Sequence, residues 1–254
     1  MKTTLFAFAF VVALSLSAVA ANGRKPAPSI HRAGDASAAL PHSNDTPSTP
    51  PALCRPCLFY GGDIDVNNIN AAGMSDENTL LIVGGSSTYG AVTIPTGVTG
   101  NVTGIVFNVQ ADAAFDPMQG TYDIRTGVSD GNGGTSIASG SGTVVVQATG
   151  RNFLGLNEYS VEISIPATSL PSGTYWFNVT PQCLNTLDGS CNVFRQFVSN
   201  SNLGNQIHGN WQPVHQMYLN SAFFGFDFAN WCDSALGFNT IQCAGMSFGL
   251  RGTD

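Results

Sequence analysis

One short segment of this chain is crowded with side-chain oxygens. Residues 61–78 read GGDIDVNNINAAGMSDEN, and alternate oxygens of this kind can converge on one hard cation. Ca²⁺ accepts about six to eight oxygens and tolerates irregular loops. The match to an EF-hand loop is partial, because Asn68 stands where that loop needs Gly and Met74 where it needs Glu. The candidate calcium ligands are Asp63, Asp65, Asn67, Asp76 and Glu77.

The same segment has an explanation that needs no ion. Asp and Asn side chains also hydrogen-bond to their own backbone in Asx-turns, so a polar loop can stabilise itself. Against this, carboxylates gathered in one loop repel each other unless a cation lies between them. The sequence therefore predicts a calcium site and leaves a self-capping loop as the alternative.

A second candidate site lies between residues 200 and 232, where Asn and Gln alternate with aromatic side chains. Planar amides and flat rings suit the hydroxyls and ring faces of sugars. They equally suit the end of a sandwich, where aromatic side chains cover the core. The two histidines are seven residues apart, which matches neither a zinc helix motif nor a zinc finger. The candidate glycan-binding residues are His208, Trp211, His215, Tyr218 and Trp231.

Catalytic patterns are weak in this chain. It contains no G-x-S-x-G motif for a serine hydrolase. Glu158 and Glu162 share one face of a predicted strand, but four residues of strand separate them by about 13 Å. A glycosidase needs its two carboxyl groups roughly 5 to 9.5 Å apart. A solvated strand face explains these two glutamates better.

Six cysteines lie in the C-terminal four-fifths of the chain, behind a predicted export signal. An even count in that context indicates disulfides formed in an oxidising compartment. Proximity along the chain favours Cys183–Cys191 and Cys232–Cys243, which leaves Cys54–Cys57 as the third pair. A thioredoxin-like role for the C-x-x-C motif is disfavoured, since no βαβ unit surrounds it.

The N-terminus divides into two segments before the main domain. Residues 1–20 combine Lys2, an apolar run and an A-x-A site, as in a cleaved signal peptide. Residues 21–53 hold six of the thirteen prolines and read as a disordered linker. Residues 54–254 form the predicted domain. We expect a secreted protein, extracellular or periplasmic, with no membrane insertion after signal cleavage.

The charge of the domain excludes some partners. It has no lysine, and its five arginines face fourteen acidic residues, so its formal charge is five minus fourteen, or −9. Such a surface repels phosphate backbones, so nucleic acid is not an expected partner.

Strand signals dominate the domain. Short runs rich in Val, Ile, Thr and aromatic residues alternate with Gly-rich turn signals, among them PTGVTG, SDGNGG, SGSG and LPSG. Such spacing predicts an all-β fold, an antiparallel β-sandwich of jelly-roll type. Further strands are expected around FRQFVS, FFGFDF and GMSFGLR. The clearest predicted strands cover residues 88–95, 101–110, 121–127, 142–150, 158–166 and 173–180.

Two longer stretches carry a resemblance. YDIRTGVSDGNGGTSIASGSG, followed by GLNEYSVEISIPATSLPSGTYWFNVTP, is similar to secreted bacterial jelly-roll domains of surface and envelope proteins. In those domains a Y/W-x-I-R-x-G hairpin precedes an x-x-G-T-Y-W-x-x-V strand. The likeness covers residues 60–250. It implies a jelly-roll fold in the cell envelope and supplies no catalytic residues.

These observations favour an exported, non-catalytic domain that binds a glycan or envelope component or has a structural role there. The alternative is a secreted hydrolase acting on a polysaccharide or peptide polymer. The first hypothesis is preferred because the sequence offers no recognisable catalytic constellation.

Overall fold

The computed structural model describes residues 52–64, 78–79, 86–111, 115–153, 155–183, 196–198, 200–201, 206–222, 225–230 and 245–254. The predicted signal peptide lies outside these ranges, as does the predicted linker except for residues 52 and 53. Nothing in the described ranges is a helix long and apolar enough to cross a membrane.

Apart from a 3₁₀ turn at Ala52–Cys54, the regular structure of the described ranges is β-strand. This confirms the predicted all-β class. The strands are β1 (Phe59–Tyr60), β2 (Asn78–Thr79), β3 (Ser86–Ile94), β4 (Gly100–Ala111), β5 (Gln119–Thr126), β6 (Thr135–Phe153), β7 (Leu156–Leu170), β8 (Gly173–Cys183), β9 (Gln196–Val198), β10 (Asn200–Ser201), β11 (Gln212–Ser221), β12 (Phe226–Asn230), β13 (Gly245–Met246) and β14 (Phe248–Thr253).

Most of these strands belong to one curled sheet. Its order is β1-β14-β4-β7-β6-β5-β8-β3-β11-β12, with β9 beside β4 and β2 beside β8. Every pairing is antiparallel except β2 with β8. We call β1, β14, β4 and β7 the first half-sheet, and β5, β8, β3, β11 and β12 the second half-sheet. The result is sandwich-like, and a jelly-roll connectivity stays a prediction.

Strand β6 joins the two halves because each half-sheet takes a different part of it. Residues 135–143 pair with β5, and the pairing with β7 begins at Val144. SGSG at residues 139–142 was predicted as a turn, and this is wrong. Gly140 suits the inside of the strand, since a Cβ there would lie 3.0 Å from the ring of Tyr122.

The core fills the space between the half-sheets. Phe177 of β8 and Phe248 of β14 meet across it with ring centroids 5.9 Å apart. Phe107 of β4 packs edge-on against Phe248 at the same distance. The alternation predicted for β7 is observed on this side, where Val161 and Ile163 are fully buried. Alternate β-branched and aromatic side chains of the two half-sheets thus pack together and hold one half-sheet over the other.

The opposite face of β7 was predicted to be solvated, and this is wrong except at Ser164, which is exposed. Glu158, Ser160 and Glu162 are all buried. Residues 52–64 cover this outer face of the first half-sheet, where Tyr60 and Cys54 pack against Val106. A period-two pattern identifies two faces of a strand, but it does not tell whether a distant segment covers the polar one.

Glu162 lies under the edge of this cover and pairs with Arg251 at 3.1 Å. Burial raises the pKa of Glu162, and the charge of Arg251 only partly offsets that effect. A raised folded-state pKa means that the charged form is disfavoured in the folded protein. The protonated form of Glu162 therefore stabilises the folded protein. This stabilisation is fully present below the unfolded pKa and is lost as pH rises through the folded pKa.

We expect Glu162→Gln to gain stability relative to the wild type as pH rises above about 4.3, the unfolded pKa of glutamate, because Gln imitates the protonated acid at every pH. Urea unfolding at several pH values measures this difference in the free energy of unfolding. A difference that stays constant, or that changes in the opposite direction, would contradict the assignment.

Candidate functional site

Arg151 forms the centre of a buried ionic group. It lies near the end of β6, where its Nη1 is 2.9 Å from Oδ1 of Asp63. Its Nε donates to Oε2 of Glu158 on the neighbouring strand β7. The three side chains are at most 2% exposed. A charge removed from water in this way needs a partner of opposite sign. Here both carboxylates pair with the guanidinium of Arg151.

A chain of hydrogen bonds extends this group across the first half-sheet. Tyr60 donates to Oδ1 of Asp63 at 2.7 Å, and Asn108 Nδ2 donates to the Tyr60 hydroxyl at 2.8 Å. Asn108 also donates to Ser247 at 2.7 Å and accepts from Ser160 at 2.5 Å. We call these residues, with Arg151 and Glu158, the Arg151 network. Burial, reinforced by the charge of Asp63, raises the pKa of Tyr60 well above its usual value, so the phenol remains a donor.

The Arg151 network bears on the calcium prediction because it contains the first candidate ligand. Asp63 already contacts a guanidinium, which would repel a cation at the same oxygen. The part of the chain that the structure describes holds no group of three His, Cys, Asp or Glu side chains arranged for a metal ion. The other candidate ligands lie outside the described residues, so the calcium site stays a prediction: Asp65, Asn67, Asp76 and Glu77.

A second cluster lies on the outer face of the second half-sheet. It combines an arginine–aspartate pair on β5 with aromatic side chains from β3, β8, β11 and β12. We call it the Arg125 cluster. Its members are Tyr89, Asp123, Arg125, Trp176, Tyr218 and Phe228.

Cross-strand register brings the cluster together. Tyr218 lies opposite Tyr89, and Arg125 lies opposite Trp176. The Trp176 and Tyr218 rings meet edge to face with centroids 4.9 Å apart. These aromatic side chains are almost fully buried. They form a floor that is contributed by adjacent strands of a single sheet face.

Arg125 lies on this floor and has polar contacts on its other side. Its guanidinium is 5.1 Å from the ring centroid of Phe228 and 5.8 Å from that of Tyr89. Its Nε pairs with Asp123, and its Nη1 donates to the carbonyl of Gly133 at 2.8 Å. Burial alone would lower the pKa of Arg125, but the hydrogen bond and charge of Asp123 outweigh it and the pKa is raised. Arg125 therefore keeps its charge while it lies over the two rings.

The pair is still open to solvent at one side. The side chains of Arg125 and Asp123 are 23% and 15% exposed. Ser136, which is exposed, donates to Asp123 Oδ1 at 2.6 Å, and Tyr89 donates to Oδ2 at 3.0 Å. Burial, followed by the charge of Asp123, raises the pKa of Tyr89. The opening thus presents both hydrogen-bond donors and acceptors above an apolar floor.

Phe228 covers one end of the cluster in a strained conformation. Its φ of 43° lies in the left-handed region, which a bulky residue adopts only where its surroundings impose it. The loop between β5 and β6 holds it, since Gly131 N donates to the Phe228 carbonyl at 3.2 Å. In the same loop, Asp130 Oδ1 accepts from the backbone of Asn230 at 3.0 Å. These contacts fix the rim of the cluster.

Three of the predicted glycan-binding side chains are described, and two of them, Trp211 and Tyr218, are buried. Trp211 is fully buried, its Nε1 donates to Asp254 at 2.7 Å, and its ring occupies the space above Gly100. Tyr218 belongs to the buried floor of the Arg125 cluster. His208 is half-buried beside the turn that leads into β11. For Trp211 and Tyr218, burial favours the alternative explanation, cover for the core.

Two of these residues remain untested. Trp231 lies outside the described residues, and of His215 only the backbone position in β11 is described. Their predicted contact with a glycan stays a prediction.

The cysteine predictions are confirmed in part. Cys54 and Cys57 form a disulfide with Cα atoms 5.1 Å apart. The backbone of Cys183 ends β8, and its side chain is not described. The remaining cysteines, Cys191, Cys232 and Cys243, lie outside the described residues, so both longer-range pairings stay predictions.

Sequence reasoning missed Arg125 and Arg151 as central residues. A usable signal was present, because a domain without lysine must neutralise any buried carboxylate with one of its five arginines. Which carboxylate meets which arginine depends on strand order, and the sequence does not display that order. No protein-family model, curated protein or solved structure matches the chain, so the resemblance to bacterial envelope domains stays a prediction.

Arg151→Met should destabilise the protein by about 3–5 kcal/mol, because it leaves Asp63 and Glu158 buried without their guanidinium. Urea unfolding measures the loss. Adding Asp63→Asn and Glu158→Gln to the same variant should recover much of it, since the uncompensated charges are then gone. Arg55→Met, at an exposed arginine, is the control and should change stability by no more than about 0.5 kcal/mol. A loss of similar size in Arg151→Met and the control would contradict the role of the network.

Trp211→Ala should also destabilise the protein, by about 3–5 kcal/mol, since it empties a large buried volume and removes the bond to Asp254. Thermal unfolding measures this loss, with Gln212→Ala at the exposed neighbouring position as control. An unchanged melting temperature would instead support a ligand-contacting role for Trp211.

Proposed function

We propose that this protein is an exported, non-catalytic binding domain that holds a neutral glycan of the cell envelope or extracellular space at the Arg125 cluster. The observation that carries the proposal is the partly open Arg125–Asp123 pair above an aromatic floor. Sugar hydroxyl groups both donate and accept hydrogen bonds, and the partly exposed side chains of Arg125 and Asp123 offer partners for both. The buried rings hold the guanidinium in place.

The charge of the cluster supports a neutral ligand. Arg125 and Asp123 compensate each other, so the opening has no net charge of its own from this pair. A phosphate or sulfate group would have to displace Asp123 from Arg125 in a domain that is already acidic. Hydroxyl groups need no such exchange, because they both donate and accept hydrogen bonds.

The non-catalytic part of the proposal rests on how the buried acids are used. Asp63 and Glu158 pair with Arg151, Glu162 pairs with Arg251, and Asp123 pairs with Arg125. A general acid or base has to exchange protons with a substrate. In the described part of the chain each of these carboxylates is instead held by an arginine.

Binding can be tested by calorimetric titration of the full chain with a panel of neutral oligosaccharides, including cello-, xylo- and chito-oligomers. For any oligomer that binds, Arg125→Lys should weaken binding about tenfold, because Lys keeps the charge but not the planar donor array; tenfold corresponds to about 1.4 kcal/mol. Arg55→Lys makes the same change at an exposed site and should leave affinity unaltered. Ser136→Ala should weaken binding less, because its hydroxyl lies at the rim.

Three results would contradict the proposal. Binding to no oligomer in the panel would remove the neutral-glycan assignment. Binding that is equally strong in Arg125→Lys would place the site elsewhere. Release of new reducing ends by the wild type would support the alternative, a secreted hydrolase.

A further inference from the structure

We propose that two copies of this chain pair through the free edge of β6, with residues 139–143 of one copy antiparallel to the same residues of the other. The observation that carries this inference is a strand segment that is paired on one side, exposed, uncharged and nearly symmetric in sequence. It is independent of the Arg125 cluster and of glycan binding.

The free edge follows from the way β6 leaves β7. Pairing with β7 stops at Val144 and Ile163, while β6 continues beside β5 back to Thr135. Among the strands that the structure describes, none pairs with the second edge of residues 135–143. Residues 139–141 and 143 are exposed and Gly142 is half-exposed, so the segment is open.

The backbone groups on that edge can be identified. Val144 N donates towards β5, to the carbonyl of Met118 at 3.1 Å. Backbone groups of successive residues in an antiparallel strand alternate between its two edges. The N–H and C=O groups of Ser139 and Ser141 therefore point to the free edge. A partner strand can bond with them without breaking the β5–β6 ladder.

Natural proteins usually protect such an edge with lysine, proline or an inward charge. This domain has no lysine, and residues 131–150 contain neither a charged residue nor a proline. In a domain with five arginines and fourteen acidic residues, two copies repel each other over most of their surfaces. The uncharged β6 edge is a place where that repulsion is weak.

The sequence of the segment favours a second copy over an unrelated strand. Read in either direction from Ser141, S-G-S-G-T places glycine opposite glycine and Ser139 opposite Thr143. A twofold axis places the same patch of both copies in contact, and here the facing residues are all small. Ile137 and Val145 lie four residues to either side of Ser141 and are 43% and 55% exposed. Val145 already lies beside Glu162 of β7, so the new strand pairing ends before it.

In this arrangement Ser141 of one copy faces Ser141 of the other, and this makes a charge-exchange experiment decisive. We expect the purified wild-type chain to show a concentration-dependent dimer in sedimentation velocity. Ser141→Lys should abolish the dimer, since like charges directly opposite each other destabilise a strand pair. Ser141→Glu should do the same. An equimolar mixture of Ser141→Lys and Ser141→Glu should restore it.

Two controls separate charge from other effects. Ser141→Gln adds bulk without charge and should still dimerise. Ser129→Lys adds the same charge at an exposed loop residue outside the edge and should also dimerise. A wild type that is monomeric at every concentration would overturn the proposal. So would a dimer that survives in Ser141→Lys, or a Lys and Glu mixture that fails to restore pairing.

Discussion

The buried guanidinium of Arg151 is the constraint on which the first half-sheet depends. It contacts Asp63 from the N-terminal segment and Glu158 from β7. In a medium of low polarity each of these charges alone would cost several kcal/mol, so the three must be placed together. This requirement fixes the end of β6 against β7 and the N-terminal segment against both. The polar chain from Tyr60 through Asn108 to Ser160 then lies beneath that segment, where its hydrogen bonds are protected from water.

Local patterns in the sequence were sufficient for the strands whose two faces differ strongly. β4, β7 and β8 alternate apolar residues that meet the core, and they were expected within a few residues of their observed positions. β11 was missed, because Gln212–Ser221 contains Pro213 and several amides and reads as a loop. Its strand state comes from pairing with β3, which lies far away in sequence, and with β12, which follows it directly. The same holds for SGSG in β6, where the ring of Tyr122 selects glycine for space and not for a turn.

The candidate sites were less accessible to sequence reasoning, because each depends on contacts between distant strands. Asp63 was predicted as a calcium ligand. In the structure its Oδ1 contacts Arg151, and the calcium site stays a prediction. The Arg125 cluster could not be assembled without knowing that β5, β8, β3 and β11 are neighbours. Trp211 and Tyr218 were identified by residue type, which does not distinguish a ring that faces a ligand from one that faces the core. The ring of Trp211 is buried in the space that Gly100 leaves open. The ring of Tyr218 is buried against Trp176.

The pairing of β1 with β14 has a consequence for how the chain reaches this fold during synthesis. Phe59 lies opposite Leu250, so one of the first strands of the domain finds its partner only when the last residues are available. Contacts so distant in sequence slow folding, although the entropy of closing a loop grows only by about 0.6 kcal/mol for each doubling of its length. The disulfide between Cys54 and Cys57 has a sequence separation of 3, so it can form before the C-terminal strand is synthesised. Oxidation of this pair can therefore precede folding, and an incomplete chain would carry the finished disulfide beside a Phe59 with no strand to cover it.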